Sequence, residues 1–305
     1  MIYDILYSSI RIAAPLVLAA MGGLLTFQAG ILNIALDGFM IIGAFTAIAV
    51  AHFTGSLTLG VVAGVGASIV CASLLAVFNL RFKAHVFIAG IAVTFIAYGI
   101  TALLLQGLLG QEGVFTSSNI SAFPSLHIPG IDRIPILGSL FDGHTFLVYV
   151  AYLSVPIVAW LLYRTRWGLR VRMIGEAEDA ATAAGINADR VKFETMVASG
   201  FFCGLAGAYL SLGYVSLFAK QMTDDRGLIA LAAIFFARGR PFATAFVAIV
   251  FGIASALSVR LPEVTKIAPQ LLELIPYLVT ILALLLVGLK TRRAQRANGV
   301  HGFEA

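Results

Sequence analysis

Two polar side chains, Asn33 and Asp37, interrupt an apolar stretch of the sequence. Both could form hydrogen bonds to a polar solute. They lie four positions apart, which places them on one face if the segment is a helix. A carboxylate in such a segment usually faces a bundle interior or a water-filled cavity. Gly30 and Gly38 flank the pair and permit close approach or a broken helix. The pattern predicts either a constriction on a substrate pathway or a structural hydrogen-bond network, and the sequence leaves both open.

Residues that carry chemistry in enzymes do not cluster in this sequence. Cys71 and Cys203 lie within apolar segments without a CxxC spacing, and the five histidines are scattered, so we expect neither a disulfide nor a metal site. The sequence contains no P-loop and no nucleophile elbow. We therefore expect no catalytic residues and no bound cofactor in this chain.

The composition indicates a membrane protein. Hydrophobic residues make up 60% of the 305 residues and charged residues only 11%, whereas a soluble domain carries about 25% charged residues. The net charge of +5 is not gathered into a basic run with interleaved aromatics, so we expect no nucleic-acid partner. Membrane lipid is the expected environment.

Nine apolar stretches are candidates for membrane segments, since a spanning helix needs roughly 20 mostly apolar residues. The seventh is short and could be a half-helix. The predicted fold class is an all-α, polytopic transmembrane helix bundle, with 1–305 as a single domain. The stretches are 8–27, 31–51, 57–78, 87–109, 146–163, 195–217, 228–237, 242–259 and 271–289.

The distribution of lysine and arginine predicts an orientation. If every segment crosses, most of the 20 cations fall on the side of the C-terminus, which favours a cytoplasmic C-terminus and an external N-terminus. Residues 110–145 then form an irregular outer loop, 164–194 an ordered cytoplasmic loop, and 290–305 a cytoplasmic tail. Within the cytoplasmic loop, EAEDAATAA at 176–184 favours a short helix that ends at Gly185, and Asn187 can cap the next helix.

Three further stretches have two interpretations each. The small residues around Gly200 and Gly204 favour close helix packing over a role in movement. Asp224 and Asp225 precede the seventh segment, either as a mouth for an external binding protein or as a helix-initiating turn. Aromatic side chains such as Phe39 or Phe87 could stack a planar substrate, although helix packing explains most of them.

Several blocks, in order along nearly the whole chain, resemble the permeases of ATP-binding-cassette (ABC) importers of the branched-chain amino acid, ribose and nucleoside group. GILNIALDGFMIIGA at 30–44 is similar to the first signature of that family, with Asp37 in place of the usual glutamate and Phe39 where glutamine is common. TRWGLRVRMIGE at 165–176 is similar to its coupling loop. RGLIALAA at 226–233, Arg240-Pro241 and Pro276-Tyr277 resemble later blocks, with Ala237 where glycine is frequent.

The resemblance implies a type II ABC importer permease in a bacterial inner membrane, most like the shorter permease subunit of nucleoside or simple-sugar importers. It implies separate ATPase subunits that bind ATP and Mg²⁺, a second homologous permease, and a periplasmic or lipoprotein substrate-binding protein. Residues of the predicted substrate pathway are Asn33, Asp37 and Phe39. Residues of the predicted ATPase coupling segment are Gly175, Glu176, Ala180, Ala181, Ala184 and Gly185.

The predicted mechanism transmits closure of the ATPase pair through the helix near 176–184. A bulky residue at Ala181 is then expected to uncouple ATP hydrolysis from transport without loss of the fold. The competing hypotheses are a simple-sugar permease of the same family and an ion-coupled secondary transporter that uses Asp37. A passive channel and a membrane-embedded enzyme are the remaining alternatives, and the enzyme would need a clustered constellation that the sequence lacks.

Overall fold

The computed structural model describes residues 2–117, 123–126 and 142–264, with side chains for 6–117, 123–126 and 142–258. The structure is predominantly helical. In chain order the helices are α1 (Ile2–Gln28), α2 (Leu36–Thr54), α3 (Leu57–Arg81), α4 (Val86–Leu109), α5 (Phe146–Arg164), α6 (Arg166–Glu176), α7 (Glu178–Ala183), α8 (Ala188–Ala208), α9 (Arg226–Phe236) and α10 (Pro241–Val264). A π-helical turn, Tyr209–Tyr214, continues α8.

Within these described residues, seven helices are long and apolar enough to cross a membrane: α1 to α5, α8 with its π-helical turn, and α10. The shorter α9 corresponds to the seventh predicted segment. The ninth predicted segment, 271–289, and the tail at 290–305 lie outside the described residues. A polytopic helical bundle is therefore confirmed, whereas the count of nine segments is not.

The centre of the bundle is α1, which is buried along most of its length and packs against α8, α9 and α10. Helices α2, α3 and α8 pack closely against one another through glycines. A methyl group at Gly204 would lie 2.7 Å from Cα of Val65, and one at Gly200 would lie 2.6 Å from Cβ of Ala72. The prediction that small residues in this stretch serve helix packing is confirmed at both positions.

Helix α4 lies at the periphery and buries only one narrow stripe, Gly90, Ala97, Thr101 and Leu105. Its other faces carry large apolar side chains such as Phe95, Ile96 and Leu103, all exposed. In a membrane protein, such a surface is suited to lipid or to another membrane subunit.

The two long connections differ from each other, as predicted, but the first is more regular than expected. Within 110–145, the described residues form three short strands, β1 (Val114–Thr116), β2 (Ser125–Leu126) and β3 (His144–Thr145). Strand β1 pairs antiparallel with β4 (Leu217–Ala219), which lies outside this connection, and β2 pairs antiparallel with β3 within it. The expectation of a wholly irregular loop is therefore wrong for these residues, because strand pairing satisfies their backbone groups.

The second connection, 164–194, is ordered helix, as predicted. Helix α6 begins after Thr165, whose hydroxyl accepts a hydrogen bond from Gly168 N at 3.1 Å. The short helix α7 gives way to Gly185 in the left-handed conformation, with φ +84°. The side chain of Asn187 then accepts a hydrogen bond from Arg190 N at 2.9 Å and caps α8. The predicted helix end at Gly185 and the predicted cap at Asn187 are both confirmed.

The predicted segment 31–51 does not begin as a helix. Helix α1 ends at Gln28, Gly30 takes a left-handed turn at φ +78°, and α2 starts only at Leu36. The residues between, 31–35, are non-helical, and we call them the α1–α2 linker. The expectation that Asn33 and Asp37 share one helix face is therefore wrong, since Asn33 lies in the α1–α2 linker.

Candidate functional site

The carboxylate of Asp37, in the first turn of α2, binds groups from two other parts of the bundle. Its Oδ1 accepts a hydrogen bond from the backbone N–H of Gly227 at 2.9 Å. Its Oδ2 accepts one from the hydroxyl of Thr223 at 2.7 Å and another from the hydroxyl of Tyr98. Asp37 is 2% exposed. Three donors thus surround a buried carboxylate, which is the arrangement that offsets the cost of burying it.

The bond to Gly227 makes Asp37 the capping group of helix α9. The first N–H groups of a helix have no partner within it and carry partial positive charge. Asp225 occupies the N-cap position but is held at φ +55°, and its side chain makes no capping bond. A carboxylate from α2 therefore does what the N-cap side chain ordinarily does.

Two glycines let the three elements approach closely enough for this contact. A methyl group at Gly227 would lie 2.7 Å from both Cα and Cβ of Asp37. A methyl group at Gly38 would lie 2.8 Å from Cα of Thr94, where α2 crosses α4. Side chains larger than hydrogen at either position would push α9 or α4 away from α2.

A cavity of about 240 Å³ adjoins this network. Its polar groups are Thr94, Tyr98 and the exposed Asp225, and its aromatic wall is Phe95, which is 69% exposed. The cavity combines a flat apolar surface with hydrogen-bonding groups, which is typical of a small-molecule site. Its lining residues are Ile34, Asp37, Ile91, Thr94, Phe95, Tyr98, Asp225 and Leu228.

Helix α9 is too short to cross a membrane. Its 11 residues rise about 16 Å, roughly half of the hydrocarbon thickness. Its C-terminal end lies beside the end of α1, because the Gln28 side chain donates a hydrogen bond to the carbonyl oxygen of Gly239 at 2.5 Å. At the other end of α9, the exposed Asp225 lies beside Asp37 at the cavity. Asp224 and Asp225 precede α9, as predicted, and their role as a mouth for an external binding protein stays a prediction.

The other predicted pathway residues lie elsewhere. Asn33 is buried in the α1–α2 linker, where its amide donates to the Ser199 hydroxyl at 3.2 Å and its oxygen accepts from Ala35 N at 3.0 Å. Phe39 is fully buried in the core. Neither lines the cavity described above, and their roles on a substrate pathway stay predictions.

Comparisons with known proteins agree with this architecture. The family described as the branched-chain amino acid transport system permease component matches residues 5–284 of the chain. The chain belongs to that family. The permease is 32% identical to the guanosine ABC transporter permease NupQ of Bacillus subtilis over 299 residues, which cover 94% of this chain and 92% of NupQ.

Two further relatives of the permease cover similar lengths. A putative glucose ABC transporter permease of Haloferax volcanii is 29% identical over 316 residues, 96% of this chain and 94% of the relative. The nucleoside ABC transporter permease NupC of Lactococcus lactis is 29% identical over 299 residues, 95% of this chain and 93% of NupC. The family and these relatives establish a multi-pass membrane permease of the ABC class.

The predicted coupling residues of the permease divide into two groups by exposure. Five of the six are exposed on or beside α7, namely Gly175, Glu176, Ala180, Ala184 and Gly185. Ala181 is 1% exposed and faces the body of the protein. The premise that Ala181 offers its small side chain to a docking partner is therefore wrong, and a bulky residue there would first disturb the core. The coupling role of the exposed residues stays a prediction.

Gly175 makes an internal contact. A methyl group at Gly175 would overlap the carbonyl oxygen of Gln28 and lie 3.2 Å from Gly30 N. The end of α6 thus lies directly against the end of α1. Helix α7 is joined to α8 by an ion pair between Lys192 and Glu178 at 2.6 Å.

Sequence reasoning missed Tyr98, Thr223, Phe95 and Gln28. The available signal for Tyr98 was its position four residues after Thr94 in an otherwise apolar helix, since polar residues on one face of such a helix usually face a partner. Thr223 and Gln28 gave no such signal, because their partners are distant in sequence.

Proposed function

We propose that the chain is the permease subunit of an ATP-driven importer whose substrates are nucleosides. The observation that carries this proposal is the cavity between α2, α4 and the start of α9, beside the Asp37 network. The names of NupQ and NupC, a guanosine and a nucleoside permease, support the substrate class.

The chemistry of the cavity fits a nucleoside. A nucleoside presents a flat base and several hydroxyl groups. The exposed ring of Phe95 offers a stacking surface, and the carboxylate of Asp225 is an acceptor for hydroxyl or amino donors. An acidic wall also disfavours phosphorylated analogues through like-charge repulsion. Asp37 shapes this wall through Tyr98 rather than offering a free acceptor, because its three donors occupy both oxygens.

The partners follow from the same proposal. ATP and Mg²⁺ bind on separate ATPase subunits, which contact the exposed residues of α7 on the cytoplasmic side. A second permease completes the transport path, and a periplasmic or lipoprotein binding protein delivers the substrate to the outer loops. The N-terminus is outside and the C-terminus is cytoplasmic, as the distribution of cations favours. ATP drives the cycle because it binds the two states of the ATPase with different affinity.

A simple-sugar importer is the second candidate, favoured by the similarity to the putative glucose permease. It shares the hydroxyl-binding chemistry of the cavity but makes less use of the aromatic wall. An ion-coupled transporter that uses Asp37 has less support, since this carboxylate already accepts three hydrogen bonds from the protein itself.

The deciding experiment is purification of the tagged chain from its native membrane in mild detergent, followed by identification of the co-purifying proteins. An ATPase with a P-loop and a second permease are expected. Reconstituted vesicles should take up labelled guanosine only when ATP is present on the side of the membrane that the ATPase faces. Unlabelled ribose or glucose should compete poorly with guanosine. Uptake by the chain alone that collapses with a proton or sodium gradient would overturn the proposal.

A further inference from the structure

Gln28, the last residue of α1, contacts two elements that are far apart in sequence. Its side-chain amide donates a hydrogen bond to the carbonyl oxygen of Gly239 at 2.5 Å. Gly239 lies in the turn between α9 and α10 and has φ +68°. A methyl group at Gly239 would lie 3.0 Å from the Gln28 amide nitrogen. The side chain of Gln28 is therefore held closely against the C-terminal end of α9.

The backbone of Gln28 meets the other element, the end of α6. Gly175 lies so close to the Gln28 carbonyl that a methyl group at 175 would overlap it. Only Ala177 separates α6 from α7, the helix that we propose binds the ATPase. A displacement of α6 and α7 toward the bundle therefore acts directly on Gln28 through Gly175.

Helix α9 is held at both ends by residues that flank the α1–α2 linker. Gln28 holds its C-terminal end through Gly239, and Asp37 holds its N-terminal end through Gly227. A hydrogen-bonded helix of three turns transmits displacement along its axis, because its internal bonds fix the rise per residue. The N-terminal end of α9 forms one wall of the cavity, through Asp225 and Leu228.

We propose that Gln28 is a positioning residue that passes the movement of α6 and α7 to α9, and through α9 to the cavity wall. The inference rests on the proposed ATP-driven function. Gln28 touches neither the ATPase nor the substrate in this scheme. When α6 and α7 move, its hydrogen bond to Gly239 determines whether α9 moves together with the end of α1.

The test uses the reconstituted full complex and compares Gln28→Met with Gln28→Lys. Methionine has a similar length and no donor, whereas lysine restores a donor that can reach the Gly239 carbonyl. Gln28→Met is expected to lower the ratio of nucleoside transported to ATP hydrolysed by about three- to tenfold, the factor that one net hydrogen bond is worth. Gln28→Lys is expected to recover most of that ratio.

Gln106→Met is the matched control, because Gln106 lies in the last turn of α4 and its side chain bonds only the exposed Glu112 among the described residues. Its transport ratio should equal that of the parent protein. An unchanged ratio in Gln28→Met overturns the inference. A loss of complex assembly or thermal stability that explains the whole effect, with no recovery in Gln28→Lys, also overturns it, since the role is then only structural. Failure of the parent complex to transport nucleosides would instead refute the proposed function.

Discussion

Asp37 and Gly227 are separated by 190 positions, yet the carboxylate of one caps the helix that the other begins, with 2.9 Å between Oδ1 and the backbone nitrogen. The contact joins α2, which is preceded by the non-helical α1–α2 linker, to the half-helix α9. Their polar ends meet each other inside the bundle and thereby satisfy backbone groups that lipid could not.

Replacement of Asp37 by asparagine should destabilise the permease. The amide keeps one acceptor but loses the charge, so the charge-assisted bonds from Gly227, Thr223 and Tyr98 weaken or break. We expect a loss of about 2 kcal/mol in unfolding free energy, typical of hydrogen bonds to charged groups. Thermal unfolding in detergent measures it. Asp189→Asn, at an exposed position, is the control, and equal midpoints for the two variants would refute the capping role.

Alanine at Gly227 should be poorly tolerated, because its methyl group would lie 2.7 Å from Cβ of Asp37. The expected cost is about 1–3 kcal/mol, as for other overpacked sites, together with loss of uptake. Gly99→Ala is the matched control, since nothing lies within 4 Å of a methyl group there. Gly99→Ala should be neutral or slightly stabilising in the helix interior. A Gly227→Ala variant that behaves like Gly99→Ala would show that α9 is not held closely to α2.

Arginine at Ala180 and at Ala181 should give different defects. Ala180 is exposed on α7, so Ala180→Arg should leave stability unchanged. If α7 contacts the ATPase, the variant should lower ATP-dependent uptake at least about tenfold, because one misplaced charge at an interface costs several kcal/mol. Ala181 is 1% exposed, so Ala181→Arg should reduce folding and membrane level. Uptake, co-purified ATPase and thermal midpoints distinguish them. Full uptake in Ala180→Arg would exclude this face of α7 from coupling.

Truncation of Phe95 should affect substrate affinity without affecting stability. Its ring is 69% exposed and lines the cavity, so Phe95→Ala removes a stacking surface but little core. We expect the KM for guanosine uptake to rise about tenfold, within the range of base–aromatic stacking. Ile96→Ala removes a neighbouring side chain of 58% exposure that does not line the cavity. Equal KM values for both variants would show that Phe95 does not face the substrate.

The sequence predicted most local features of the fold. Helix ends at Gly185 and Asn187 were predicted from left-handed and capping preferences, and both residues act as expected. Close packing at Gly200 and Gly204 was predicted from small-residue spacing. These features depend on neighbours a few residues away, so a local pattern contains the necessary information.

The candidate site was predicted only in part. Asp37 was recognised because a carboxylate in an apolar segment requires partners, but its pairing with Asn33 on one face was wrong. The helical spacing argument fails there because the chain is non-helical through residues 31–35 and turns at Gly30. Ala181 was misjudged in a similar way, since a small side chain suits an interface with the protein's own core as well as one with a partner.

Hydropathy, motif order and the cost of a buried charge are local or additive properties, so the sequence alone indicated a polytopic helical membrane protein, its family and the need for a partner to Asp37. Only the tertiary structure decided which groups meet that charge. Thr223 and Gly227 lie 186 and 190 positions from Asp37, and Tyr98 lies 61 positions away. Such contacts arise when broken segments pack against each other, and no periodicity along the chain encodes which ends will meet.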